Sequence, residues 1–156
     1  MTGKFFTFDG IDGAGKSTQL ALFCEYLQSV GHSVLKCRDP GTTALGESVR
    51  SLLLRKSDVQ IAPTSEMLLY MTARSQLIFE VIEPALRRGQ TVVSDRFLLS
   101  TLVYQGHAGG VDPQRIKMVG ELATTGIDPT ATFLLDLDYS TAFQRLKRDH
   151  DRMEQR

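Results

Sequence analysis

Residues 5–17 read Phe5-Phe6-Thr7-Phe8-Asp9-Gly10-Ile11-Asp12-Gly13-Ala14-Gly15-Lys16-Ser17, a short apolar run followed by a glycine-rich one. A glycine, four intervening residues, then glycine, lysine and serine match the pattern of a phosphate-binding loop. Glycines permit positive φ angles and let backbone N–H groups approach phosphate oxygens, and a helix that begins there adds its positive dipole end. In such a loop Lys16 contacts the β- and γ-phosphates of ATP, and Ser17 offers its hydroxyl to Mg²⁺.

The context of this loop favours the phosphate-binding interpretation. An apolar strand precedes it and an amphipathic helix follows it, as the motif requires. The alternative is a glycine-rich turn before a helix with no ligand. The residues predicted to hold ATP are Gly10, Ile11, Asp12, Gly13, Ala14, Gly15, Lys16, Ser17 and Thr18.

Strand-like and helical segments alternate along the whole chain. Short apolar runs predict strands at 5–8, 34–37, 91–94 and 132–137; helical spacing predicts helices at about 16–30, 45–54, 63–88, 112–126 and from 140 onward. We expect Pro84 to kink the third helix or start a new turn, and Leu134 and Leu135 to lie in the core. The alternation predicts an α/β fold in three α/β/α layers around a parallel sheet, with one domain over residues 1–156.

Composition excludes several classes of function. Eighteen basic and eighteen acidic residues give a formal net charge of zero, so bulk charge suggests neither a nucleic-acid nor a membrane partner. No apolar run approaches the roughly 20 residues of a membrane span. The two cysteines lack the spacing of a zinc site or a disulfide framework. We expect a cytoplasmic protein.

Five segments carry a resemblance to a known family. Residues 8–19, which contain the glycine-rich loop, are similar to the opening of thymidylate kinases, and four later segments match that family in order: 38–43, 66–74, 95–105 and 151–154. The sequence is identified as a member of this family, whose P-loop NTPase fold transfers the γ-phosphoryl group of ATP to dTMP with Mg²⁺. The resemblance also implies a homodimer, with contacts through the helices at about 64–88 and 112–125.

The resemblance implies a role for each matching residue at the acceptor site. Arg38 and Arg96 would bind the dTMP phosphate, a task that suits guanidinium groups. Arg50 would assist beside that phosphate, Tyr70 would stack on thymine, and Arg74 would hydrogen-bond the base edge. Thr101, Tyr104 and Gln105 would line the rest of the pocket. Tyr104 would lie below the deoxyribose, where its bulk disfavours a 2′-hydroxyl, and Asp9 would lie near the 3′-hydroxyl. Asp95 would join Ser17 in the Mg²⁺ shell. The alternatives are a solvated charge for Arg50, a surface pair for Tyr70 and Arg74, and a structural ion pair for Asp95-Arg96.

The glycine-rich loop itself carries no arginine, since Gly13 stands where some family members have one. The resemblance therefore implies that a catalytic arginine comes from an arginine-rich lid at about 145–156, to act with Lys16 and Arg96. Arg148 and Arg152 are the candidates. A solvated helix of mixed charge is the alternative for this stretch.

The family's last helices and strand have no counterpart in this sequence. Two other functions stay open: another P-loop kinase of nucleosides or metabolites, and a nucleotide-binding protein made inactive by truncation.

Overall fold

The computed structural model describes residues 3–55 and 60–145. Four parallel strands form one sheet: β1 (Phe5–Asp9), β2 (Val34–Arg38), β3 (Thr91–Asp95) and β4 (Ala131–Leu134), in the order β2-β3-β1-β4. Phe5 pairs with Val92 and Phe6 with Ala131, so β1 lies between β3 and β4. The predicted parallel sheet is confirmed, and the carboxyl ends of β1, β2 and β3 meet at one edge.

Helices cover both faces of this sheet. They are α1 (Lys16–Ser29), α2 (Ala44–Leu54), α3 (Pro63–Leu77), α4 (Glu83–Arg87), α5 (Leu98–Thr101), α6 (Pro113–Thr124) and α7 (Tyr139–Arg145). On one face Leu20 and Cys24 of α1 pack with Phe8 and Val93 of the sheet. On the other face, Leu77 at the end of α3 belongs to the cluster that contains the sheet's Phe5 and Val92. The three-layer α/β/α prediction is confirmed.

Two π-helical segments interrupt the predicted pattern. The expected single helix over 63–88 is divided, because the π-helix Ile78–Ile82 separates α3 from α4. Pro84 stands in the first turn of α4, directly after the π-helix, so a new turn starts at this proline as predicted. The second π-helix, Leu102–Ala108, continues α5 and brings Tyr104 to the sheet edge; no helix was predicted there.

The fourth strand differs from the prediction in length and burial. It ends at Leu134 because its ladder with β1 ends there, at the Asp9↔Leu134 pair. All four residues of β4 are exposed, and Leu134 is 64% exposed, so the prediction of Leu134 as core is wrong. Within the described residues β4 pairs with β1 alone, which leaves its other edge uncovered. Leu135 is half-buried and packs against the cluster around Phe8, so it lies at the margin of the core and not inside it as predicted.

No helix in the described part of the chain has both the length and the apolar character needed to cross a membrane.

Candidate active site

The glycine-rich loop connects β1 to α1 at the carboxyl edge of the sheet. Gly10, Gly13 and Gly15 have φ angles of 139°, 83° and 91°, which side chains other than glycine adopt at a cost. Lys16 is the first residue of α1 and is buried, and its Nζ donates to the Ile11 carbonyl at 2.8 Å. Burial, together with the nearby Arg96 guanidinium, lowers the pKa of Lys16.

A cavity of about 590 Å³ opens in front of this loop. Its lining contains five basic side chains, from the loop, from β2, from α2, from the end of β3 and from α7, and only three carboxylates. A concentration of positive charge around a phosphate loop favours a polyanionic ligand. The lining residues are Asp12, Gly13, Gly15, Lys16, Ser17, Thr18, Arg38, Asp39, Arg50, Asp95, Arg96 and Arg145.

Arg96 directly follows β3 and reaches back to the glycine-rich loop. Its φ of 69° is a left-handed conformation that costs energy in any residue except glycine. Nη1 donates to the Gly10 carbonyl at 3.2 Å and to Ser100 Oγ at 2.9 Å, and the guanidinium carbon lies 5.5 Å from the centre of the Tyr104 ring. Although burial acts to lower the pKa of Arg96, nearby acidic groups raise it, so this cation stays charged.

Asp9 stands at the end of β1, and its side chain is buried. Ser100 Oγ donates to Asp9 Oδ1 at 2.5 Å, which connects Asp9 through Ser100 to Arg96. The other oxygen, Oδ2, is buried without a hydrogen-bond partner among the described residues. Burial raises the pKa of Asp9, although Ser100 and nearby cations act to lower it.

Arg74 lies behind the cavity in a fully buried cluster. Its Nε donates to Asp39 Oδ2 at 2.6 Å, and its Nη2 donates to Thr101 Oγ1 at 2.9 Å. The guanidinium also lies 5.3 Å from the ring centre of Phe97. Arg74 is therefore not half of a surface pair with Tyr70, which is half-buried and packs beside Val49 and Leu53.

Gln105, predicted to contact substrate, is buried as well. Its Nε2 donates to Glu66 Oε1 at 3.0 Å, and both side chains lie almost wholly out of solvent. This bond ties the π-helix that carries Tyr104 to α3. Contact between Gln105 and a substrate stays a prediction.

Arg38 and Arg50 reach the cavity from its opposite wall. One Arg38 nitrogen donates to both Glu47 carboxylate oxygens, at 2.9 and 2.8 Å, in a pair that is half exposed. Arg50 is half-buried and donates to the Pro40 carbonyl at 3.2 Å. Both side chains line the cavity that holds Lys16, so Arg50 is not simply a solvated charge on a helix surface.

Ser17 and Asp95 offer two oxygen atoms beside the loop. Ser17 Oγ donates to Asp95 Oδ2 at 3.3 Å, and both residues line the cavity. In residues 3–55 and 60–145 no three acidic, histidine or cysteine side chains form a metal-binding group. A hydroxyl and one carboxylate nevertheless fit Mg²⁺, which commonly takes few protein ligands and completes its shell with phosphates and water.

The short helix α7 lies directly on the glycine-rich loop. A Cβ atom at Gly13 would lie 2.2 Å from the Ala142 carbonyl oxygen, so the missing side chain lets the two segments touch. The contact brings Arg145, the last residue of α7, to the cavity. Arg148 and Arg152, the predicted catalytic arginines, lie outside the described residues.

Comparison with known proteins identifies relatives over nearly the whole chain. A family model described as thymidylate kinase matches residues 8–156. The thymidylate kinase of Thermoanaerobacter sp. (strain X514) is 46% identical over 99% of this chain and 76% of its own length. That of Desulforudis audaxviator (strain MP104C) is 49% identical over 99% of this chain and 71% of its own. The crystal structure of thymidylate kinase from Ehrlichia chaffeensis superposes with a TM-score of 0.80 at 37% identity, covering 93% of this chain and 82% of that one.

Proposed function

The chain belongs to the thymidylate kinase family, and from this membership we infer that it transfers the γ-phosphoryl group of ATP to dTMP, giving dTDP and ADP. The relatives described above are all thymidylate kinases, so they lend no support to a different P-loop kinase or to an inactive nucleotide-binding protein. The observation that carries the proposal is the set of five basic side chains around one phosphate loop. We propose that residues 1–156 act as one kinase domain.

The donor and acceptor sides of the cavity have separate cations. On the donor side, Lys16 and the loop's N–H groups would hold the ATP phosphates. On the acceptor side, Arg96 would hold the dTMP phosphate with Arg38, and Arg50 would assist. Asp9 and Tyr104 flank the Arg96 side chain, which supports their proposed places at the sugar.

The base would lie towards α3, between Tyr70 and the buried Arg74 cluster. Thr101 accepts a hydrogen bond from Arg74 and would fix the guanidinium that we propose to face the base edge. Gln105 would contribute through its bond to Glu66, by holding the π-helix of Tyr104 against α3.

The chemistry of the acceptor sets what these side chains must do. The attacking oxygen belongs to the dTMP phosphate, which is ionised at neutral pH, so no strong general base is required. Positioning and neutralisation of charge then carry most of the catalysis. Lys16 and Arg96 would supply positive charge from the loop and the sheet edge, and the lid arginines Arg148 and Arg152 would supply more. Arg145 lines the same cavity and joins this set.

Ser17 and Asp95 would hold Mg²⁺ through their oxygen atoms. The ion would supply charge neutralisation at the phosphates of ATP.

Exposed apolar side chains support a homodimer formed through α3, the adjoining π-helix and α6. Phe79 is 70% exposed, and Met118 and Leu122 of α6 are 69% and 79% exposed. Such side chains are typical of protein contacts when they share a surface. We also propose that the enzyme works in the cytoplasm.

A coupled assay of ADP release, with dTMP, dUMP, thymidine or no acceptor, tests the proposal. We expect rapid turnover with dTMP and slow turnover with the other three. Turnover with thymidine but not dTMP would replace it with a nucleoside kinase. A folded, soluble sample that releases no ADP with any acceptor would favour a binding function.

A further inference from the structure

One carboxylate oxygen connects the donor side of the cavity to the acceptor side. Asp12 Oδ1 lies 2.6 Å from Arg96 Nη2 and 3.2 Å from Lys16 Nζ. Arg96 and Lys16 come from positions 80 residues apart in the chain, and both line the cavity that faces the glycine-rich loop. Asp12 therefore offsets part of the positive charge on two cations that phosphate groups would otherwise contact.

The two cations need an anion beside them. The Arg96 guanidinium lowers the pKa of Lys16, after burial the largest effect on it, so the two positive charges repel one another. Asp12 acts in the opposite direction on both: it raises the pKa of Lys16 and that of Arg96. Asp95 also raises the pKa of Lys16, and Asp9 that of Arg96, but Asp12 is the acid that contacts both cations, so its loss would leave their mutual repulsion less compensated.

We propose that Asp12 is an internal competitor of phosphate: its carboxylate occupies Arg96 and Lys16, so that any anion must displace it. The proposal rests on the proposed function, in which these two cations face the substrate phosphates. Because Asp12 is part of the loop, its carboxylate has a high effective concentration at both cations. Its side chain keeps 29% of its exposure, so the displaced carboxylate can be solvated again.

The consequence is selectivity against small anions. A nucleotide has base and sugar contacts that offset the displacement of Asp12, whereas inorganic phosphate and pyrophosphate have none. Discrimination of this kind comes from an element that opposes the wrong ligand, not from added contacts to the right one. Asp12 would thus keep abundant inorganic anions out of a strongly basic cavity.

The pair Arg38–Glu47 provides a matched comparison. It too joins an arginine of the cavity to a carboxylate, and Glu47→Gln changes the net charge by the same amount as Asp12→Asn. The Arg38 and Glu47 side chains are 50% and 44% exposed, against 18% and 29% for Arg96 and Asp12. Exposed pairs contribute little, so release of Arg38 has a small effect on anion binding.

Binding of inorganic pyrophosphate, measured by isothermal titration calorimetry in phosphate-free buffer, tests the proposal. We expect Asp12→Asn to bind pyrophosphate about tenfold more tightly than the parent protein, a difference of about 1.4 kcal/mol. Asp12→Glu, which keeps a carboxylate, should stay close to the parent. Glu47→Gln should change the affinity by less than about twofold.

Equal or weaker binding by Asp12→Asn would overturn the proposal, as would an equal gain in Glu47→Gln, because net charge alone would then explain it. Thermal unfolding shows whether each variant is folded, and Asp12→Ser replaces Asp12→Asn if that variant is not. The titration needs no turnover. Tighter pyrophosphate binding by a protein that does not phosphorylate dTMP would therefore leave this inference standing and defeat the proposed function alone.

Discussion

Comparison of Gly13→Ala with Gly31→Ala separates the effect of backbone strain from the effect of the contact between the glycine-rich loop and α7. The Cβ added at position 13 would lie 2.2 Å from the Ala142 carbonyl oxygen, whereas ordinary contact begins at 3.4 Å. The neighbour is backbone, which cannot rotate away, so α7 and the loop must separate by about 1 Å. That movement carries Arg145 away from the phosphates.

The expected loss of activity is large for a single methyl group. A displacement of about 1 Å at a catalytic site can lower the rate roughly 100-fold, so we expect kcat/KM for dTMP to fall by about that factor. The φ of 83° at position 13 adds roughly 1–2 kcal/mol of lost stability, because a side chain in this conformation is strained.

Gly31→Ala is the matched control. Gly31 has nearly the same φ, 89°, but a Cβ there meets nothing within 4 Å, and the residue lies at the far end of α1. Urea denaturation should show a loss of stability in both variants, larger in Gly13→Ala because of the added clash, while the coupled assay should show lost activity only in Gly13→Ala. If the two variants keep equal activity, α7 does not deliver a functional arginine through this contact.

Three further predictions concern stability and specificity. Arg74→Ala should lower the free energy of unfolding by about 3–5 kcal/mol, because it leaves the buried Asp39 carboxylate without its ion-pair partner. Arg87→Ala breaks an exposed pair with Glu83 and should lower it by only about 0.5 kcal/mol. Urea denaturation compares the two variants, and equal losses would show that burial of the Arg74–Asp39 pair does not matter. Burial raises the folded-state pKa of Asp9 above its ordinary 3.8, so the folded protein holds this proton more tightly and loses stability as the pH rises from about 4 through that pKa. Asp9→Asn lacks this loss and should be more stable than the parent at pH 7. In thermal unfolding the difference in stability between the two proteins should vanish towards pH 4. A constant difference across that range would show that Asp9 does not titrate there. Tyr104→Ala should reduce the preference for dTMP over its ribonucleotide analogue by about tenfold or more in kcat/KM, and an unchanged ratio would remove Tyr104 from sugar selection.

The glycine-rich loop could be predicted because its information is local. Strand, loop and helix follow one another within 25 residues, and the loop positions with positive φ angles, Gly10, Gly13 and Gly15, are all glycines. The same holds for Pro84, whose missing N–H fixes where a helix can begin. The residues of the acceptor site were predicted only from the family resemblance, because no local sequence pattern specifies them.

Contacts between distant residues could not be predicted in this way. The Arg96–Asp12 bond joins positions 84 residues apart, and Arg74–Asp39 joins positions 35 apart, so both depend on how the sheet brings strand ends together. Asp12 and Lys16 are only four residues apart, but helical spacing does not predict their contact, because α1 begins at Lys16 and Asp12 lies in the loop before it. The exposure of Leu134 was missed for a similar reason: an apolar run predicts a strand, but its burial depends on which elements pack beside it.

The most direct test of the account follows the transferred phosphorus itself. The protein is incubated with dTMP and ATP labelled at the γ-phosphate, and the nucleotides are separated and degraded stepwise. Phosphoryl transfer to dTMP predicts that the label appears in the β-phosphate of dTDP, in step with ADP formation, and that Lys16→Ala abolishes it. Label recovered only as inorganic phosphate, with no labelled dTDP, would show that the γ-phosphoryl group is not transferred to dTMP.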